Sequence, residues 1–197
     1  MPSLSIHPAE LSRRAVALGL VTVPFVPARA QAGFVIDWQD GPQTAAVAAS
    51  LAAQIALVRA LRIRPDIAAF FAAQPIAVDL AADTATRAGP RGIFFERRAV
   101  PPDNPVLLHE LLHRYQLLRL PGARDNPAVL GFFDEVRASG RFPADAYMFT
   151  NPSEFFAMTA SVVLHGRAAR PPFTRANVAA RAPDLYRWIV AEFGLLI

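Results

Sequence analysis

Between Pro105 and Pro121 lies the segment that most restricts how this chain can fold. It reads Val106-Leu107-Leu108-His109-Glu110-Leu111-Leu112-His113-Arg114-Tyr115-Gln116-Leu117-Leu118, apolar on nearly every side of a helix. A helix of that composition belongs inside a protein. Yet it carries two histidines and a glutamate, which are costly to bury without partners. The fold must therefore supply something that compensates them. His109 and His113 stand four residues apart, so their imidazoles project from one face toward a common point. Zinc accepts imidazole nitrogen at about 2.0–2.1 Å, and an ion with its water resolves the conflict. Glu110 lies about 100° round the helix from His109. That offset suits it less to share the ion than to take a proton from water activated by it.

A catalytic zinc usually has three protein ligands and an open position, so one ligand is still missing. The metzincin extension, with a third histidine six positions after His113, is excluded. Arg119 stands there, and Gln116 replaces the glycine of that pattern. The acidic candidates are Asp125, Asp134, Glu135, Asp145, Glu154, Asp184 and Glu192. Glu154 stands out because it opens an apolar helix, in Asn151-Pro152-Ser153-Glu154-Phe155-Phe156-Ala157. Its alternative role is the return arm of a capping box from Asn151. His165 is the rival ligand, although its place before Gly166 also suits a helix C-terminus. Asp134, Glu135 and Asp184 are candidates to hold the outer ring nitrogens of the histidines.

The rest of the chain supplies a scaffold. Val47, Leu51, Ile55, Val58 and Leu61 recur at helical steps within Gln43–Leu61, and Asp66–Ala73 adds a short helix after Pro65. Residues 75–80 are short, branched and proline-bounded, so they read as a strand. Ala88-Gly89-Pro90 reads as a turn and residues 91–100 as a second strand. Asp103 or Asn104 is expected to cap a helix beginning at Pro105 and running to Leu118. Further helices are predicted over 127–139, 152–165 and 183–193. Strands followed by helices make an α+β fold, a small sheet near the N-terminal half packed on a mostly helical C-terminal half.

Residues 1–32 read as an export signal rather than as fold. Ser12-Arg13-Arg14 precedes an apolar run from Ala15 to Val26, and Ala28-Arg29-Ala30-Gln31-Ala32 offers small-residue cleavage positions. The paired arginines suit a twin-arginine route, and a general secretory route is the alternative. Residues 33–197 then form one domain, exported to the periplasm or secreted, with no stable membrane anchor after signal removal. The chain has no cysteine, which excludes disulfides and thiol catalysis. All 20 of its basic residues are arginine, which excludes Schiff-base and Walker A lysines. The arginines are scattered, adjacent only at Arg13-Arg14 and Arg97-Arg98, so no nucleic-acid partner is expected.

With these residues in view, His109-Glu110-x-x-His113 followed by Asn151-Pro152-x-Glu154-Phe155-Phe156-Ala157 resembles the anthrax-lethal-factor-like zinc peptidases, within the wider zincins. The resemblance covers roughly Phe94 to Leu164. It implies a compact zincin-like domain in which Glu154 is the third zinc ligand. It also implies that Tyr147, seven residues before Glu154, points at the substrate carbonyl and assists the oxyanion. Strand 91–100 resembles the zincin edge strand that pairs with an extended substrate; an ordinary core strand is the alternative. The expected activity is that of an exported zinc-dependent endopeptidase acting on protein or peptide. One zinc per chain sits on His109, His113 and Glu154, and Glu110 is the general base. The rivals are an exported zinc-binding protein that cleaves nothing and a metal-free helical interaction domain.

Overall fold

A computed structural model describes residues 33–39, 44–78, 84–101 and 103–197. The expected export signal, the first residue of the 43–61 helix and the end of the 75–80 strand lie outside the described residues. Short strands and two helices come first: β1 (Ile36–Trp38), α1 (Ala45–Arg59), α2 (Pro65–Ala72), β2 (Ile76–Val78), β3 (Arg87–Gly89) and β4 (Gly92–Phe95). Helices follow: α3 (Val106–Arg119), α4 (Pro127–Ala138), α5 (Pro152–His165), α6 (Arg175–Arg181) and α7 (Pro183–Phe193). The architecture is α+β, with a small mixed sheet near the N-terminal half and a mostly helical C-terminal half. Among the described residues no helix is long and apolar enough to cross a membrane.

The sheet order is β1-β2-β4-β3. The first three are parallel, and β3 runs antiparallel to β4 at one edge. Register places Ile76 beside Ile93 and Val78 beside Phe95, and all four are buried. Alternate residues of a strand share a face, so this row is the face that meets the core. The strand expected over 91–100 is therefore only Gly92–Phe95 and lies inside the sheet, not at its edge. The edge strand beside β4 is β3, where a turn was expected. Its Arg-Ala-Gly sequence has no branched or aromatic residue to signal a strand, and the actual turn is Pro90-Arg91. Gly92 makes the hairpin feasible: its φ is +140°, and an added Cβ would lie 2.5 Å from the Pro75 carbonyl oxygen.

Asparagine followed by proline opens two helices through local chemistry. Asn126 accepts from Val129 N–H at 3.0 Å, and Asn151 accepts from Glu154 N–H at 3.0 Å. The histidine-bearing helix α3 starts differently. It begins at Val106, and neither Asp103 nor Asn104 caps it with a side chain. Gln54 of α1 does so instead, at long range. Its Oε1 accepts from Leu107 N–H at 3.1 Å, and its Nε2 donates to Asn104 carbonyl at 2.8 Å. The buried stripe of α1, Val47, Leu51, Ile55 and Val58, carries Gln54 to that position. Helix α6 was not expected, because Val178 is its sole buried residue and leaves no apolar rhythm to read.

At the end of α5 the helix field should favour a protonated His165. The opposite holds. Burial lowers the His165 pKa, and the charges of Arg167 and Arg175 lower it further. Arg175 is the cation that serves this helix end, donating to the Val163 and Leu164 carbonyls at 2.6 and 2.9 Å.

Two measurements follow from these contacts. Replacing Gln54 by leucine leaves the buried Leu107 N–H unpaired and the Asn104 carbonyl with only the Val106 N–H, so urea unfolding should show a loss of about 1–3 kcal/mol; an unchanged midpoint would remove the long-range cap from the account. The unfolded state binds the His165 proton more tightly than the folded state does. Stability should therefore fall as pH drops through the unfolded value of about 6.5. His165→Gln should flatten that slope relative to the parent protein, and parallel slopes would contradict it.

Candidate metal centre

Helices α3 and α5 pack against each other, and this contact builds the site. Leu107, Leu108, Leu111 and Leu112 bury one helix, and Phe155, Phe156 and Ala157 bury the other. At the start of α5, Asn151 satisfies the Glu154 N–H, which is one half of a capping box. The other half does not close on Asn151. The Glu154 carboxylate turns to α3, with Oε2 3.0 Å from His109 Nε2 and Oε1 3.4 Å from His113 Nε2. The two Nε2 atoms are themselves 3.0 Å apart. All three ligand atoms lie within 4.8 Å of one another.

Burial works to raise the Glu154 pKa. Hydrogen bonds from His109 and His113, with their charges, overcome it and hold the carboxylate well below its usual range. The Nε2 atoms of two imidazoles face each other at the shared point, and a carboxylate oxygen joins them. Two nitrogens and a carboxylate suit a borderline divalent ion. The three residues can therefore hold a metal ion.

Glu110 stands beside this triad, not within it, as its angular offset requires. It is buried, and its Oε2 accepts from the Ala88 N–H of β3 at 2.6 Å. Burial raises its pKa against the opposing charges of His109 and His113 and the Ala88 hydrogen bond. Tyr147 opens a short 3-10 turn, Tyr147–Phe149. Phe149 anchors that turn by stacking on Phe155, with ring centroids 6.3 Å apart. The Tyr147 ring is 40% exposed. Partial burial raises its pKa, and the neighbouring Glu154 carboxylate raises it further, so the hydroxyl stays protonated. Turn and cap together close the segment from Tyr147 to Glu154 into one wall. A cleft of about 700 Å³ opens between that wall and β3, bordered by Ala88, Glu110, His113, Tyr147 and Glu154.

Asp125 also borders this cleft, outside the three residues that converge, and the remaining acidic candidates do not join them. Asp134 and Glu135 are exposed on α4, and Asp184 pairs with Arg187, so none of the three supports a ligand histidine. Glu192 accepts from the Tyr115 hydroxyl at 2.6 Å. His165 ends the helix that Glu154 opens, about 16 Å further along its axis.

Arg114, which the motif reading passed over, holds the cleft together. Its Nη1 donates to the Gly89 and Pro90 carbonyls at 2.8 and 3.0 Å, and its Nε to Gln74 Oε1 at 3.0 Å. The guanidinium thus ties the β3–β4 hairpin to α3. A charged residue inside an apolar helix was the available signal.

Comparison with family models, curated proteins and solved structures finds no match to this chain. The chemical reading rests on the geometry itself.

Metal bound to the native state alone raises stability, by about 2.7 kcal/mol at a hundred times its dissociation constant. A strong chelator should therefore lower the melting temperature of metal-loaded protein. Glu154→Ala should weaken metal affinity, read by competition with an indicator, beyond the roughly 10–100-fold typical of losing an outer partner. Equal affinity in parent and variant would remove Glu154 from the ligand set.

Proposed function

We propose that the protein is a zinc-dependent endopeptidase. The observation that carries this reading is the convergence of His109, His113 and Glu154 on one point, with Glu110 adjoining it and tied to β3 by the Ala88 N–H. A tetrahedral ion with bonds of about 2.0–2.1 Å separates its ligand atoms by about 3.3–3.4 Å. The separations of 3.0, 3.0 and 3.4 Å lie close to that, which supports zinc as the occupant.

Zinc held there supplies a Lewis acid and brings the pKa of a water to about 7. Glu110 acts as general base. Its Oε2 is fixed by Ala88, which leaves Oε1 to take the proton of the attacking water and return it to the leaving amine. Its raised pKa makes it a better acceptor. Tyr147, kept neutral by its surroundings, donates its hydroxyl to the oxygen that becomes negative. The substrate lies in the cleft that β3 borders, where the backbone groups left free at the strand edge pair with an extended peptide with little sequence choice. Arg114 keeps that edge in register with Glu110.

The same reading makes the protein an exported one, periplasmic or secreted. Ser12-Arg13-Arg14, the apolar run and the small residues before position 33 support it.

Glu110→Gln tests the mechanism. The variant should keep about one zinc per chain while cleavage of a casein or peptide library falls by roughly 10²–10⁴-fold. Cleavage at the parent rate would remove Glu110 as the base. Zinc uptake with no turnover by the parent protein would instead mark a binding protein.

A further inference from the structure

A second, smaller hollow of about 230 Å³ lies on the Pro105–His109 side of α3, bordered by Thr86, Glu96, Met158, Ser161 and Arg170. Glu110 and Tyr147 border both hollows, so the two meet at the groups assigned to the chemistry. Its volume is below the roughly 300–1,000 Å³ of sites for drug-sized ligands, and it suits a single residue.

Two charged side chains outside the catalytic set face this space. Glu96 is already answered. Its Oε2 lies 3.1 Å from the Arg98 guanidinium, and its Oε1 accepts from the Thr86 hydroxyl at 3.4 Å. Arg170 has no carboxylate partner among the described residues. Its guanidinium lies over the Tyr147 ring, 5.2 Å from the centroid. A guanidinium held over an aromatic ring still offers N–H groups to an anion. The loop between α5 and α6 fixes the residue from behind. Phe173 N–H donates to the Arg170 carbonyl at 2.9 Å, Ala168 N–H donates to the Phe173 carbonyl at 2.8 Å, and a bridge pairs Arg167 with Thr174. The hollow therefore presents one unanswered cation, held in place beside Tyr147.

We propose that this hollow is the subsite that selects a substrate residue carrying a carboxylate, and that Arg170 is its specificity-determining residue. The proposal rests on the peptidase reading for the place of the substrate. The planar fork of arginine matches a carboxylate with two charge-assisted hydrogen bonds, which a neutral amide of the same shape does not reproduce. The carboxylate comes from an aspartate or glutamate side chain, or from the C-terminus of the substrate chain.

The test uses the full chain loaded with zinc. One glutamate is moved a residue at a time along a cleavable peptide, each peptide with its glutamine twin, and a further pair ends in a free acid or an amide. The parent should prefer the carboxylate member of one pair by about tenfold in kcat/KM, as expected for losing charge-assisted bonds. Arg170→Met should bring that ratio to about one and Arg170→Lys should restore part of it. A merely structural role would lower all peptides alike and leave the ratio standing. Which pair discriminates tells a side-chain carboxylate from a terminal one. The same pairs are titrated by fluorescence anisotropy onto Glu110→Gln protein with and without Arg170→Met. Binding that favours the carboxylate and loses this preference with Arg170→Met, without cleavage by the parent, sustains the subsite and overturns the peptidase reading. Cleavage with equal handling of every pair, or a preference that survives Arg170→Met, overturns the subsite and leaves the peptidase. Equal handling in both assays with no cleavage overturns both.

Discussion

Two imidazoles and a carboxylate, carried into apolar surroundings by packed helices, must be neutralised together or not buried at all. That constraint organises the molecule. α3 is apolar enough to be a core helix, and α5 is buried from Phe155 to Leu164. Their contact would be a purely hydrophobic one but for His109, His113 and Glu154 at one end of it. Each group removed from water there is answered by another: Glu154 by the histidines, and Glu110 by the Ala88 N–H. An ion at the shared point would complete the compensation, because two imidazole nitrogens and a carboxylate face one another there. On the proposed reading, metal binding and helix packing would be one event and would give a cysteine-free chain a fixed point that disulfides do not supply.

The elements around the triad act on it through a few identifiable links. Gln54 closes the start of α3 from a helix distant in sequence, so the register of the histidines depends on α1. Arg114 binds the hairpin carbonyls and thereby sets the distance from β3 to Glu110. Asn151 fixes the first turn of α5 and frees the Glu154 carboxylate to leave its own helix. Phe149 and Phe155 stack on each other, so the half-exposed Tyr147 is carried on a turn with a buried anchor. The Gln54 and Arg114 links join backbone to side chain across long stretches of sequence, whereas those of Asn151 and Phe149 are local.

What could be read from the sequence divides along the same line. The pair at i and i+4, the Asn-Pro helix starts and the α1 stripe are local patterns. Helical periodicity converts them directly into shared faces. Glu154 was legible because a carboxylate among phenylalanines needs a cation, although the capping-box alternative could be resolved only by seeing where its oxygens go. β3 was read in part as a turn for the converse reason. Arg87-Ala88-Gly89 becomes a strand through pairing with β4 and anchoring by Arg114, neither of which alters its local composition. β1 and α6 escaped notice because their exposed or weakly apolar residues carry no period. Gln54 and Arg170 act through partners some fifty and twenty residues away, which no spacing rule reports.

The account stands on a single ion held by His109, His113 and Glu154. Zinc K-edge X-ray absorption on the reconstituted full chain addresses that most directly. The account expects one zinc per chain with about four nitrogen and oxygen neighbours near 2.0–2.1 Å, and the outer-shell scattering of two imidazoles. It also expects the imidazole signal to drop by half in His113→Ala. A spectrum without imidazole scattering, or one that His113→Ala leaves unchanged, would contradict it.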